Sequence, residues 1–290
     1  MRVAERFERA SGSGKPLLLD GATGSYLQQS GVVASDAKWS ARANVEAPET
    51  VLAVHRAYLE AGSDAITANT FRTNPLALRG AGREYDDAAE RAIALAREAV
   101  RGTDALVAGS NPPAEDCYQR ERRVSRAELE RNHREHLERL APRCDFLLLE
   151  TQSRWDEIEI QLEWCAKGGA PFVVSFYVGA DGRLLSGERV GEAARRALDY
   201  GPLAIGVNCV SLDTYANVER ELPNEAPTSA HLNCGDGAVT DETISCGVSP
   251  KEYAAFWKSD ARRRPTLLGA CCGSEPAHIK ALRKAIDETY

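Results

Sequence analysis

Short apolar runs recur along this chain, each followed by a longer stretch in which apolar and charged positions alternate with helical spacing. The runs occupy residues 17–20, 65–69, 105–110, 146–150, 172–175, 204–209, 228–233 and 266–271. Their brevity and their content of Val, Ile, Leu and Phe predict buried strands, whereas the intervening stretches predict helices. Pro48-Glu49 opens the first such helix. Val51, Val54, His55, Tyr58 and Leu59 fall on one face of it, and Gly62 lies past its end. An alanine-rich helix follows over 86–100. Ser125 caps the next, with Glu128 three positions on completing a capping box. Further helices are expected over 155–166, 191–198, 250–257 and 276–286; the pattern over 213–222 is the weakest.

Eight strand–helix units are what a closed parallel barrel requires, so the predicted fold is α/β, a single (β/α)₈ TIM-type barrel over residues 1–290 with 1–15 as a short lead-in. The predicted strands end on polar or thiol-bearing residues: Asp20, Asn69, Ser110, Glu150, Ser175, Asn208 with Cys209, Asn233, and Cys271 with Cys272. A barrel gathers all strand C-termini at one mouth, where active sites sit. The competing architecture, a doubly wound open sheet, would place a glycine-rich phosphate loop after the first strand. Asp20-Gly21-Ala22-Thr23-Gly24 lacks the G-x-G-x-x-G spacing that loop needs.

Composition narrows the function further. The net charge of -7 leaves no basic excess for nucleic-acid phosphates. Charged runs such as Glu5-Arg6-Phe7-Glu8-Arg9 read as solvated helix faces. No apolar stretch approaches the ~20 residues a membrane helix needs, and the N-terminus lacks the apolar core of a secretory signal. A cytoplasmic protein with no membrane partner is therefore expected. In that compartment its eight cysteines read as free thiols or metal ligands. Cys144 and Cys165 read as buried packing residues.

Cys271-Cys272 carries the most specific signal. Adjacent cysteines rarely bond to each other, but two neighbouring thiolates can ligate zinc if the backbone bends, and Gly269 and Gly273 flank the pair. Cys209 closes another strand and can add a third sulfur, though alone it reads more readily as a packed cysteine than as a ligand. Three protein ligands would leave one tetrahedral position open, the mark of catalytic zinc. Such a sulfur-rich site suits alkyl transfer to a thiol better than water activation. Hydrolytic zinc favours histidine, and His55, His133, His136, His231 and His278 show no H-x-x-x-H or H-E-x-x-H spacing. His133 and His136, three apart on one helix, read as solvent-exposed.

The segments Leu19-Asp20-Gly21-Ala22-Thr23-Gly24, Thr67-Ala68-Asn69-Thr70-Phe71, Leu149-Glu150-Thr151, Gly206-Val207-Asn208-Cys209 and Gly269-Ala270-Cys271-Cys272-Gly273 together resemble the homocysteine S-methyltransferase family. The resemblance implies Zn²⁺ on Cys209, Cys271 and Cys272, and Glu150 on the amino group of homocysteine. It further implies a substrate pocket with Asp20, Asn69 and Asn233, in which the amides of Gly21 and Ala22 hold the substrate carboxylate. Successive amides around glycine suit that last role, since they form an anion-binding nest.

Two loops depart from the family pattern, residues 109–118 and 235–247. Their acidic residues, Glu115, Asp116, Asp236, Asp241 and Glu242, point to a cationic methyl donor, with Trp39 able to face a sulfonium. With the chain used up by the barrel, no cobalamin- or folate-binding domain is expected. The small-molecule partners implied are homocysteine and S-methylmethionine or S-adenosylmethionine, giving methionine. Other classes consistent with the residues are a subunit exchanging methyl groups with a separate corrinoid protein, an enzyme for a related thiol or selenol, and a zinc or redox sensor.

Overall fold

The computed structural model describes residues 2–32, 39–236, 244–259 and 262–290. Its strands are β1 (Leu17–Leu18), β2 (Ala65–Ala68), β3 (Leu106–Ser110), β4 (Phe146–Gln152), β5 (Phe172–Phe176), β6 (Ala204–Asn208), β7 (Thr228–Leu232), β8 (Gly235–Asp236), β9 (Ser245–Cys246) and β10 (Leu267–Ala270). Eight of these form one parallel sheet in the order β1-β10-β7-β6-β5-β4-β3-β2, while β8 and β9 form a separate antiparallel ribbon. The seam between β1 and β2 closes through a Leu19–Ala65 bridge. Beside it the Asp64 amide donates to the Leu18 carbonyl at 2.7 Å, and the Leu18 amide donates to the Asp64 carboxylate at 2.8 Å. The barrel of eight strands read from the sequence is the observed fold.

The helices are α1 (Val3–Ser13), α2 (Thr23–Gln29), α3 (Ala41–Glu46), α4 (Pro48–Glu60), α5 (Ala88–Ala99), α6 (Arg126–Leu140), α7 (Trp155–Gly168), α8 (Val190–Leu198), α9 (Leu212–Val218), α10 (Pro250–Lys258) and α11 (Pro276–Asp287). Strand side chains alternate between two apolar clusters. Leu106, Ala108, Phe146, Leu148 and Val173 fill the barrel interior, whereas Val107, Leu147, Leu149 and Val174 face the surrounding helices. The lead-in turns out to be a helix that seals the interior. Phe7 inserts from α1 and packs edge-on against Phe146 at 5.6 Å between centroids. The charged run around it is thus solvated on one side only.

Helix α6 begins as its sequence dictates, with the Ser125 hydroxyl and Glu128 carboxylate capping each other's backbone amides. His133 and His136 on it are fully buried, contrary to the exposure expected from their spacing. The reason is a polar face turned toward the barrel. His136 Nδ1 bonds Asn111 Oδ1 at 2.7 Å and its Nε2 lies 3.0 Å from Thr73 Oγ1. His133 Nδ1 accepts from Asn111 at 3.1 Å and its Nε2 bonds Glu157 at 2.8 Å. Glu157 also accepts the Ala114 amide at 2.7 Å, so the loop after β3, one of the two departing loops, is anchored from beneath.

Candidate active site

A cavity of about 790 Å³ opens at the C-terminal ends of the barrel strands. Its wall includes Asp20, Gly21, Ala22, Asn69, Ser110, Glu150, Cys209, Cys271 and Cys272, residues drawn from over 250 positions of sequence. The sulfurs of Cys209, Cys271 and Cys272 all lie within 4.8 Å of one another, with Cys209 and Cys272 3.5 Å apart, and none is in a disulfide. Sulfurs around one tetrahedral zinc at ~2.3 Å would sit about 3.8 Å apart. The cluster has that scale, and an all-thiolate donor set is one that suits zinc.

Local backbone geometry builds this cup. Cys209 follows β6 with φ +57°, a left-handed conformation that costs a non-glycine residue energy and turns its sulfur inward. Asn233, expected in the substrate pocket, does not line the cavity. Its amide group donates to the Cys209 carbonyl at 3.0 Å and supports that strained corner. After β10, Gly273 has φ +80° and packs against the Gly235 backbone so closely that any Cβ would collide with it. The phenol of Tyr118 lies 2.9 Å from Cys209 Sγ. Hydrogen bonds from Cys271 and Cys272, with help from Tyr118, hold the Cys209 thiol well below its ordinary pKa, while burial pushes the phenol up. Tyr118 is therefore the donor in this pair. Cys271 and Cys272 are pushed up, chiefly by their hydrogen bonds to Cys209 and further by burial.

Glu150 stands beside the sulfurs. Burial raises its pKa to about 7, against a hydrogen bond from Ser110 Oγ at 2.5 Å that lowers it. Asn208 clamps the corner after it, accepting the Thr151 amide at 2.7 Å and donating to Thr151 Oγ1 at 3.0 Å. Thr151 too is left-handed, at φ +57°. Asp20 is buried, with its pKa raised to about 8 by desolvation, and both its oxygens are taken by Thr67 at 2.8 and 2.9 Å. Ser274, absent from the sequence reading, already accepts the Ala22 amide at 2.9 Å. Among the described residues the Gly21 amide has no such protein partner. Asn69 donates to the Ser40 carbonyl and to Asn44 Oδ1, both at 2.8 Å, and so ties α3 to the barrel.

The outer wall is mixed in charge. Trp39 lies over Gly24, where a Cβ would fall inside its ring, and meets Phe71 edge-on at 6.3 Å. Glu115 and Asp116 line the mouth as expected, but Arg72, Arg79 and Arg123 line it too. The sequence reading counted only the acids there. Asp116 is exposed and accepts the Tyr118 amide at 3.0 Å. Of the other acidic loop, Asp241 and Glu242 lie outside the described residues, and Asp236 is placed only as backbone, paired with Ser245.

A three-thiol cup and an adjacent buried carboxylate at the mouth of a (β/α)₈ barrel define a class, the thiol-alkylating barrel enzymes. A profile described as Homocysteine S-methyltransferase matches residues 17–286. The chain belongs to the homocysteine S-methyltransferase family, and is a methyltransferase of that family. It is 29% identical to the Bos taurus betaine–homocysteine S-methyltransferase 1, over 94% of this chain and 73% of that one. Identity to the Rattus norvegicus S-methylmethionine–homocysteine S-methyltransferase BHMT2 is also 29%, over 94% and 79%. The metallated form of the Escherichia coli homocysteine methyltransferase MmuM superimposes with a TM-score of 0.79 at 25% identity, covering 96% of this chain and 99% of that one. That protein has also been solved in oxidized and apo forms. No helix among the described residues is long and apolar enough to cross a membrane.

Proposed function

We propose that this protein transfers a methyl group from a small sulfonium donor, S-methylmethionine or S-adenosylmethionine, to the thiol of homocysteine, giving methionine, with Zn²⁺ held by Cys209, Cys271 and Cys272. The observation that carries the reading is the placement of three converging sulfurs and a buried carboxylate in one cavity. Zinc in this cup would lower the pKa of an incoming thiol and hold it as a thiolate at neutral pH. Glu150 would receive the substrate ammonium, and its raised pKa returns toward the ordinary range once that cation sits beside it. The Gly21 amide offers the substrate carboxylate a donor. The Ala22 amide, held by Ser274, would have to exchange partners to do the same.

The displacement itself is in line. The thiolate lone pair forms a bond to the methyl carbon as the carbon–sulfonium bond breaks, and its electrons stay on the departing thioether. A cation and an anion thereby become two neutral thioethers. Displacement of water by the two bound substrates would favour such charge-annihilating transfer. Trp39 gives the donor cation an aromatic face, and Arg72, half-buried, stacked over the Phe71 ring at 5.4 Å and with no ion-pair partner among the described residues, would face a donor carboxylate. Donors that join a methylated cation to a carboxylate fit both features. The test is a donor panel: zinc-loaded protein, homocysteine, and S-methylmethionine, S-adenosylmethionine or betaine, with products read by mass spectrometry. Methionine from a sulfonium donor supports the reading. Methionine formed only with betaine, or only when a corrinoid protein is added, would overturn the donor assignment.

A further inference from the structure

His231 is the next-to-last residue of β7 and lines the cavity beside Glu150. It is 2% exposed, and neither ring nitrogen has a hydrogen-bond partner. Buried polar groups in native proteins are nearly always paired, and an orphan costs on the order of 1–3 kcal/mol. Both nitrogens of the buried His55 are unpaired too, but of these two histidines His231 is the one that faces the ligand cavity. A neutral imidazole carries one lone pair and one N–H. His231 Nε2 lies 3.9 Å from Glu150 Oε2, too far for a direct hydrogen bond. The far oxygen of Glu150 is already committed to Ser110, whereas Oε2 has only a 3.5 Å contact from Asn208.

One group satisfies both free acceptors. An ammonium has three donors at tetrahedral angles, and two of them reach atoms at this separation with ordinary ~2.8 Å bonds. We propose that His231 Nε2 and Glu150 Oε2 together clamp the ammonium of the acceptor substrate, making His231 the residue that selects α-amino thiols over thiols lacking the amine. Glu150 supplies the charge, and the neutral ring supplies direction. The tautomer required carries its proton on Nδ1. A site with two desolvated acceptors rejects an analogue that cannot fill them, because binding then leaves both unpaired. The inference rests on the proposed homocysteine reading and extends it to the selection of the acceptor.

The test compares homocysteine with 4-sulfanylbutanoate, which keeps the thiol, chain length and carboxylate but lacks the amine. Steady-state KM for each is measured with zinc-loaded wild type, H231L and H231Q at saturating donor. H231L should raise the KM for homocysteine about tenfold or more and leave that for 4-sulfanylbutanoate nearly unchanged. H231Q, which keeps an acceptor, should recover part of the loss. An equal loss for both thiols, or an unchanged homocysteine KM, overturns the proposal. If H231L does not fold, ¹⁵N resonances of the wild-type imidazole decide the matter. Nε2 should move on saturation with homocysteine and not with 4-sulfanylbutanoate, and a shift common to both overturns the clamp. Wild-type protein that methylates neither thiol fails at the proposed function, a separate outcome from failure at His231.

Discussion

Asp20 shows how a single buried residue links the site to stability. Desolvation raises its carboxyl to about 8, from 3.8 when exposed. The folded protein therefore binds this proton more tightly than the unfolded chain does. Its contribution is fully present below the unfolded pKa and is lost as pH rises through the folded one. In the substrate-free protein Asp20 alone should remove an amount on the order of several kcal/mol between about pH 4 and pH 8, opposed in the lower half of that window by the buried His55, His136 and His231, whose imidazoles burial pushes down. D20N keeps an acceptor for the Thr67 amide and carries no charge. Relative to wild type, its denaturation midpoint should therefore rise with pH across that window, and a D20N profile parallel to wild type would refute the assignment. Cys209 offers a second lesson at this scale. Its place at a strand end was legible, but the sequence could not separate a lone packed thiol from a member of a sulfur cluster, because that difference lies in a positive φ and two partners more than 60 residues away.

At the scale of elements, the loop after β3 is held by the network through His133, His136, Asn111 and Glu157. E157A removes the acceptor shared by the Ala114 amide and His133. It should cost about 2–4 kcal/mol by urea denaturation and loosen Tyr118, with metal content unchanged. An E157A protein as stable as wild type would show that the network does not anchor the loop. The network was invisible in the sequence because its face of α6 is polar, and periodicity detects apolar faces only. Helices α2 and α3 were missed for a related reason. They span seven and six residues, too short for a periodic signal, and tertiary contact holds them, as in the bond from Asn44 Nδ2 to the Asn69 carbonyl. Gly24, by contrast, stood in a recognisable segment, and the structure gives it a cause in the ring of Trp39 above it. G24A should displace that ring and raise the KM of the methyl donor more than that of homocysteine. Equal effects on both would place Trp39 outside the donor pocket.

For the whole molecule, eight strand–helix units read from periodicity gave the barrel, because a closed parallel sheet imposes apolar runs at regular spacing. The sealing of its interior by α1 was not legible, since a lone Phe7 among charges carries no pattern. F7A should cost about 3–5 kcal/mol by opening a cavity against Phe146, and a loss below ~1 kcal/mol would remove α1 from the core. The barrel otherwise serves to bring distant strand ends together, and the cup of three sulfurs is its most specific product. X-ray absorption at the zinc edge tests that product most directly. Purified protein should bind about one zinc with three sulfur neighbours and one lighter atom at ~2.0–2.3 Å. Saturation with homocysteine should raise the count to four sulfurs, and C272S should abolish stoichiometric binding. Zinc retained by C272S, or a sulfur count that homocysteine leaves unchanged, would contradict thiol activation at this site.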